Sequence, residues 1–401
     1  MKALSSSVAG IERSPIRYIL DRAAAYPDAI HLEIGQPDFS VPDHVTEAAA
    51  RVMRNDYTGY TANAGVRDLR EAITIKLDRE NDMHVTPENV IVTVGAMQAV
   101  YSTMLVLLDP GDEILLPDPG YGNFNMGARL CHANPVFYPT LADRRFEPDL
   151  DALEELVSRR TKALFINSPS NPTGAVFSRE IMQACLEFCQ RHDLYLVSDE
   201  TYDRLVFEGE HVSPAQWDDE GRVISIFTTS KTYAMTGWRV GYAVAEPAII
   251  STMAKIQEPT VSCVNTVAQH GAIAALLGPQ DCVDMMRAEY KRRRDIAVQV
   301  ALEEELSVSY PHGAFYMLVD ISSQPLDSIA FCCGLLDQEQ VAAAPGRSFG
   351  ERSDRYVRVS LCANETALRE GLPRLAGHLR QVAALGHTSP ECVALSAQAT
   401  R

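Results

Sequence analysis

The chain has 401 residues, with 36 lysines and arginines against 53 aspartates and glutamates, a formal charge of -17. That length exceeds one ordinary core and favours two or three domains, and the acidic balance offers no basic face for nucleic acid. Hydrophobic residues at 46% and charged residues at 22% are those of a globular protein. The nine scattered cysteines lack a C-x-x-C pair, which points to reduced thiols in a cytoplasmic protein rather than disulfides or a metal knuckle.

Residues 1–10 lack the apolar run of a signal peptide, and the longest apolar stretches, such as residues 100–108, are too short to span a bilayer. From there the chain alternates strand-like and helix-like segments. Short apolar runs at 90–94, 113–116, 163–166, 195–198, 223–227 and 239–245 read as strands. Residues 178–191 carry apolar positions at helical spacing between two of them. Strands alternating with helices predict an α/β fold whose large domain, residues 46–284, holds a mostly parallel sheet covered on both faces. Residues 284–306 read as a long charged amphipathic helix. Strands at 307–310, 314–319 and 356–361, then a helix from Glu365, predict a smaller α+β domain of residues 1–45 and 285–385. Residues 386–401 read as a loose tail.

Chemistry-bearing residues cluster after the predicted strands, where open α/β sheets bind ligands. Thr228-Thr229-Ser230-Lys231 follows one strand, and Arg239 lies eight residues on. A lysine so placed forms a Schiff base when burial or neighbours lower its pKa, while the two hydroxyls and the guanidinium suit a phosphate. Asp199 ends another strand, Tyr202 follows it, and Asn171-Pro172-Thr173-Gly174 and Pro119-Gly120-Tyr121 follow two more. Taken singly, a strand-end aspartate is a cap, Asn-Pro-x-Gly is a turn, and either tyrosine is a packed aromatic. Val94-Gly95-Ala96-Met97 joins a strand to a helix, a place where backbone N–H groups meet phosphates. No G-x-G-x-x-G fingerprint, Walker A loop, H-E-x-x-H or G-x-S-x-G elbow is present.

The ten residues Ser230-Lys231-Thr232-Tyr233-Ala234-Met235-Thr236-Gly237-Trp238-Arg239 resemble the lysine signature of the class I/II aminotransferases, and further landmarks follow that family's order over residues 31–375. The resemblance implies a pyridoxal 5'-phosphate (PLP) transferase fold and assigns roles. Lys231 would carry the cofactor as a Schiff base and move the substrate proton. Asp199 would keep the ring nitrogen protonated, and Asn171 and Tyr202 would hold the ring's phenolic oxygen. Tyr121 would stack on the ring, while Gly95, Ala96, Met97, Thr228, Ser230 and Arg239 would bind the phosphate. Arg358 would clamp the substrate carboxylate, with Asn171 and the backbone of Gly35 beside it. Tyr60, with Tyr57 nearby, would reach the phosphate of a neighbouring subunit, making the active unit a homodimer. Ile16, Phe39, Tyr60 and Phe315 are candidates for the side-chain pocket, and Arg347 faces either solvent or substrate. The implied activity is ping-pong transfer of an amino group between an L-amino acid and a 2-oxo acid. A lyase, a replacement or cyclising synthase, possibly acting on S-adenosylmethionine, and an oxidase share the same residue set. Dicarboxylate-specific relatives add a second arginine, which no motif locates here.

Overall fold

The computed structural model describes residues 8, 11, 13–55 and 57–385. The predicted loose tail at 386–401 lies outside the described residues. In chain order the strands are β1 (Ile30–His31), β2 (Val90–Thr93), β3 (Glu113–Asp118), β4 (Asn134–Pro139), β5 (Thr161–Asn167) and β6 (Tyr195–Asp199). They continue with β7 (Val223–Thr228), β8 (Gly241–Val244), β9 (Tyr316–Asp320), β10 (Val341–Ala342), β11 (Ala344–Pro345) and β12 (Tyr356–Ser360).

Seven strands form the main sheet in the order β2-β8-β7-β6-β5-β3-β4. Neighbours are parallel except β8, which runs antiparallel between β2 and β7. Every residue of β2, β3, β7 and β8 is buried, as a sheet covered on both faces requires. The parallel strands β3, β5, β6 and β7 therefore point their carboxyl ends to one border. Asp118, Asn167, Asp199 and Thr228 end these strands and stand in a row. A second sheet, β11-β12-β9, is antiparallel, and β1 pairs with β10, tying the N-terminal segment to the C-terminal part.

Several predicted elements shift for identifiable reasons. β8 starts at Gly241 rather than at 239, because Arg239 adopts a left-handed φ of 57° that turns the chain. The edge strand β4 escapes the sequence pattern because Asn134, Pro135 and Pro139 read as turn residues, which an edge strand tolerates. Residues 307–310 are not a strand: the segment makes a single bridge, Val308 with Val319. Beyond it the chain bends at Pro311, and His312 donates to the Gly174 carbonyl at 2.9 Å instead of extending a ladder. The helix 178–191 appears as Arg179–His192, opened by Ser178, whose hydroxyl accepts from the Ile181 N–H at 3.3 Å. The long charged helix is Asp281–Glu303. Its Arg293 reaches back to Asp38 through two bonds of 2.9 Å and donates to the Cys362 carbonyl at 2.8 Å.

Beneath the main sheet Lys76 pairs with Asp203, and both are buried. Asn81 accepts from the same ammonium at 2.7 Å, and the Phe227 ring lies 4.5 Å from it. Burial pushes the Asp203 carboxyl up, but Lys76, with His211 and Arg204, outweighs it and holds the group below the usual carboxylate range. The depressed pKa makes this contribution complete above the ordinary carboxylate range and lost as pH falls through the folded value. Removing one partner strands the other charge. Lys76→Met should cost about 3–5 kcal/mol and lower the thermal midpoint, whereas Lys76→Met combined with Asp203→Leu should recover most of it. Scanning calorimetry at pH 7 on the three proteins checks this, and equal midpoints for wild type and Lys76→Met would deny the pair a structural role.

Candidate active site

The carboxyl-end border of the main sheet opens into a cavity of 420 Å³ whose walls come from nine separate stretches of chain. Lys231 lies on the turn after β7, in the short helix Thr229–Thr232. Thr228 caps that helix, its hydroxyl accepting from the Ser230 N–H at 3.2 Å. The Lys231 ammonium donates to the Gly35 carbonyl at 2.9 Å. Burial, aided by the charges of Arg358 and Arg239, lowers its pKa from 10.5 to about 8. A neutral amine is therefore within reach near physiological pH.

Asp199 is buried at the end of β6 and accepts from the Thr201 N–H at 3.0 Å. Among the described residues it forms no ion pair, and burial pushes its carboxyl up to about 6 against the Thr201 hydrogen bonds. A buried carboxylate without a cation favours a cationic ligand group, and a protonated pyridine nitrogen meets that need.

At one end of the cavity Arg239 packs against Gly95. A Cβ at position 95 would run into the guanidinium, and the positive φ of 72° also favours glycine there. Gly241 likewise lets the Ala96 N–H come close. The Thr228 hydroxyl donates to Ser230 Oγ at 2.9 Å, so two hydroxyls, a guanidinium and the start of the helix Gly95–Leu107 share this end. That donor set fits a phosphate.

At the other end Arg358, on β12, is buried. Its guanidinium donates to Asn171 Oδ1 at 3.0 Å and to the Glu33 carbonyl at 2.6 Å, leaving Nε without a partner. The rings of Tyr316 and Phe349 lie 4.2 and 4.8 Å from it. Because Asn171 accepts through Oδ1, its Nδ2 remains available to donate into the cavity. Tyr202 and Tyr316 share a hydrogen bond of 3.0 Å between hydroxyls, and Gly35 has no Cβ where one would strike the Tyr316 hydroxyl.

The cavity thus brings together Gly35, Ala96, Met97, Tyr121, Asn171, Asp199, Tyr202, Thr228, Ser230, Lys231, Arg239 and Arg358. Tyr60 is not among the lining residues; it is 95% exposed on its own chain. Ile16 lines the cavity, but two other pocket candidates do not. Phe315 is fully buried among Tyr202, Tyr290 and Tyr316, and Phe39 packs edge-on against Tyr290 at 5.4 Å. Arg347 borders a neighbouring cleft, within 3.5 Å of Glu351. Sequence reasoning missed Tyr316, Glu33 and Arg17. Tyr316 sits beside a phenylalanine in one apolar run, so only the strand's facing distinguishes them. The residues present fit pyridoxal phosphate: a buried unpaired carboxylate, a low-pKa lysine and a phosphate-sized cradle at matching ends.

The depressed lysine pKa has a direct test. In the cofactor-free protein, competitive acetylation followed by peptide mapping should give Lys231 half of its maximal reactivity near pH 8, below the ordinary lysine value of about 10.4. A Lys231 profile superimposable on those of surface lysines would refute the burial argument.

Residues 27–375 match the family model "Aminotransferase class I and II". The aspartate/prephenate aminotransferase of Thermus thermophilus is 38% identical over 87% of this chain and 90% of its own length. The probable aspartate aminotransferase of Methanocaldococcus jannaschii is 37% identical over 92% and 98%. Among solved structures, the Thermus thermophilus aspartate aminotransferase with maleate superposes with a TM-score of 0.90 at 36% identity, covering 94% of this chain and all of that one. An aromatic aminotransferase from Pyrococcus horikoshii gives 0.86 at 35% identity, over 90% and 99%. With the family's fold and cofactor chemistry both present, the chain belongs to the PLP-dependent class I and II aminotransferases.

Proposed function

We propose that this enzyme moves the amino group of an L-amino acid to a 2-oxo acid in two half-reactions that use the one cavity in turn, a ping-pong scheme. The observation that carries the reading is the convergence of Lys231, Asp199 and Arg358 on that cavity from three distant parts of the chain. When bound, pyridoxal phosphate supplies an electron-withdrawing ring that accepts the electron pair released at the substrate Cα.

The chain's own residues do the rest. Arg358, with Nε unpartnered, receives the substrate carboxylate beside Asn171 and the Gly35 backbone. That grip turns the Cα hydrogen toward Lys231, whose low-pKa amine takes the proton from Cα as general base. Asp199 would face the ring nitrogen and, as a carboxylate, keep a proton on it. Asn171 and Tyr202 would donate to the phenolic oxygen, and Tyr121 would lie beside the ring. Arg239, Thr228, Ser230, Gly95, Ala96 and Met97 would hold the phosphate, so that one lysine serves both proton transfers.

The same reading makes the active unit a homodimer, in which the exposed Tyr60 reaches the neighbouring phosphate cradle. It divides the chain into a cofactor-binding domain of residues 46–284 and a small domain of residues 1–45 and 285–385. No described helix is long and apolar enough to cross a membrane, and the eight described cysteines are free thiols, which supports a cytoplasmic setting.

Three measurements test the proposal. The holoenzyme, mixed with single L-amino acids and no acceptor, should convert its cofactor stoichiometrically to pyridoxamine phosphate with release of the oxo acid. Turnover that returns pyridoxal phosphate would replace transamination with elimination, replacement or oxidation. Lys231→Ala should abolish the borohydride-reducible adduct, and an adduct at another lysine would reassign the site. Separately, Arg358→Ala should lower kcat/KM by about 1.5–3 kcal/mol through the lost charge-assisted pair. Unchanged kinetics on every accepted amino acid would place the carboxylate clamp elsewhere.

A further inference from the structure

Two tyrosines, 114 residues apart in the chain, meet in the wall of the cavity. Tyr202 follows β6, three residues beyond Asp199, and Tyr316 opens β9. On the small sheet Tyr316 pairs with Ser360 of β12, and Arg358 stands two residues along that strand. The side chains of Tyr316 and Arg358 therefore leave the sheet on one face as diagonal neighbours. The guanidinium lies 4.2 Å from the centre of the Tyr316 ring, a cation on an aromatic face. The same ring meets Tyr202 edge-on at 5.8 Å, and the two hydroxyls are 3.0 Å apart. Gly35 leaves room for the contact, since a Cβ there would run into the Tyr316 hydroxyl.

A phenolic hydroxyl has one proton to give and lone pairs to receive with, so two of them can be ordered in two ways. Both protons are in place at neutral pH. Burial pushes Tyr202 well above the ordinary tyrosine range and Tyr316 up to about 12, in the second case against the charge of Arg358. Among the described residues each hydroxyl has the other as its hydrogen-bond partner. Tyr202 has a further use for its proton at the phenolic oxygen of the cofactor. The order that serves this use has Tyr316 donating to Tyr202 and Tyr202 donating onward. In the reverse order Tyr202 would turn lone pairs toward an oxygen that needs a donor.

We propose that Tyr316 is a positioning residue, whose hydroxyl donates to the Tyr202 oxygen and so holds the Tyr202 proton toward the cofactor's phenolic oxygen. In this role Tyr316 acts through Tyr202. A hydroxyl that accepts one hydrogen bond also becomes the stronger donor in the next. The ring of Tyr316, held beside Arg358, gives the chain of hydroxyls a fixed origin. The inference rests on the placing of Tyr202 at the phenolic oxygen.

The test compares pyridoxal phosphate with its deoxy analogue, in which hydrogen replaces the phenolic hydroxyl, as ligands of the cofactor-free protein. Calorimetric titration of wild type, Tyr316→Phe, Tyr202→Phe and the double variant gives each protein's preference for pyridoxal phosphate. Phenylalanine keeps the ring against Arg358 and removes the donor alone. Tyr316→Phe should cut the preference about 3- to 10-fold, the range of one neutral hydrogen bond, with affinity for the deoxy analogue held within about two-fold. The double variant should match Tyr202→Phe, because Tyr316 acts through that hydroxyl. A second readout is optical. A donor at the phenolic oxygen favours the form in which that oxygen carries full negative charge. Tyr316→Phe should therefore raise the pH midpoint of the bound cofactor's visible absorbance. Equal losses for both ligands would reduce Tyr316 to a structural residue and overturn the proposal. So would an unaltered preference and midpoint in Tyr316→Phe where Tyr202→Phe shifts both. An unaltered preference in Tyr202→Phe would remove that residue from the phenolic oxygen, and the proposal with it.

Discussion

A guanidinium buried where three chain segments meet sets the geometry of the cavity. Arg358 stands on β12 of the small sheet, bonds a side chain that follows β5 of the main sheet, and bonds a backbone carbonyl just after β1. Without water to satisfy it, the group requires those oxygens, and they in turn fix the spacing between the two sheets. The aromatic faces of Tyr316 and Phe349 complete its surroundings. Among the described residues its Nε has no hydrogen-bond partner, which leaves one donor for a further acceptor.

The same economy of charge runs through the rest of the cavity. Burial raises the carboxyl of Asp199 and lowers the ammonium of Lys231, moving both toward neutrality. Each shift has desolvation as its largest cause, so neither group depends on a tight partner that would compete with a ligand. Lys231 thereby comes within reach of its neutral form, while Asp199 keeps a buried carboxyl open to a cationic ligand group. The well-matched buried pair, Lys76 with Asp203, is not among the residues lining the cavity, and no proton has to move there.

Much of the site was legible because the chemistry sits at strand ends in short signatures. Lys231, Arg239, Asp199, Asn171 and Tyr121 each follow a strand whose apolar run is visible in the sequence, and parallel strands deliver such residues to one border. Residues whose role depends on tertiary packing were not legible. Phe315 and Tyr316 are adjacent, apolar in character and both buried; Phe315 sits in the turn before β9 among other aromatics, while Tyr316 opens the strand and faces Arg358. Arg17 belongs to no signature, and its helix is held by the packing of Ile19 and Ala23 and by Arg22 bonding Asp337, 315 residues away. Strand β4 was hidden by its prolines, and residues 307–310 mimicked a strand until Pro311 turned the chain.

Those prolines also bear on the molecule's behaviour in concentrated solution. β4 closes one side of the seven-stranded sheet, and Pro135 and Pro139 fall four residues apart, hence on the same parity of the strand. Neither has an N–H to offer, so a stray extended segment arriving at this border finds its row of donors interrupted at both ends. Six residues of partly exposed strand would otherwise be a template for cross-chain pairing. The interruption makes this flank a poor seed for fibrils or precipitates, and leaves association between copies to surfaces other than the sheet's open side.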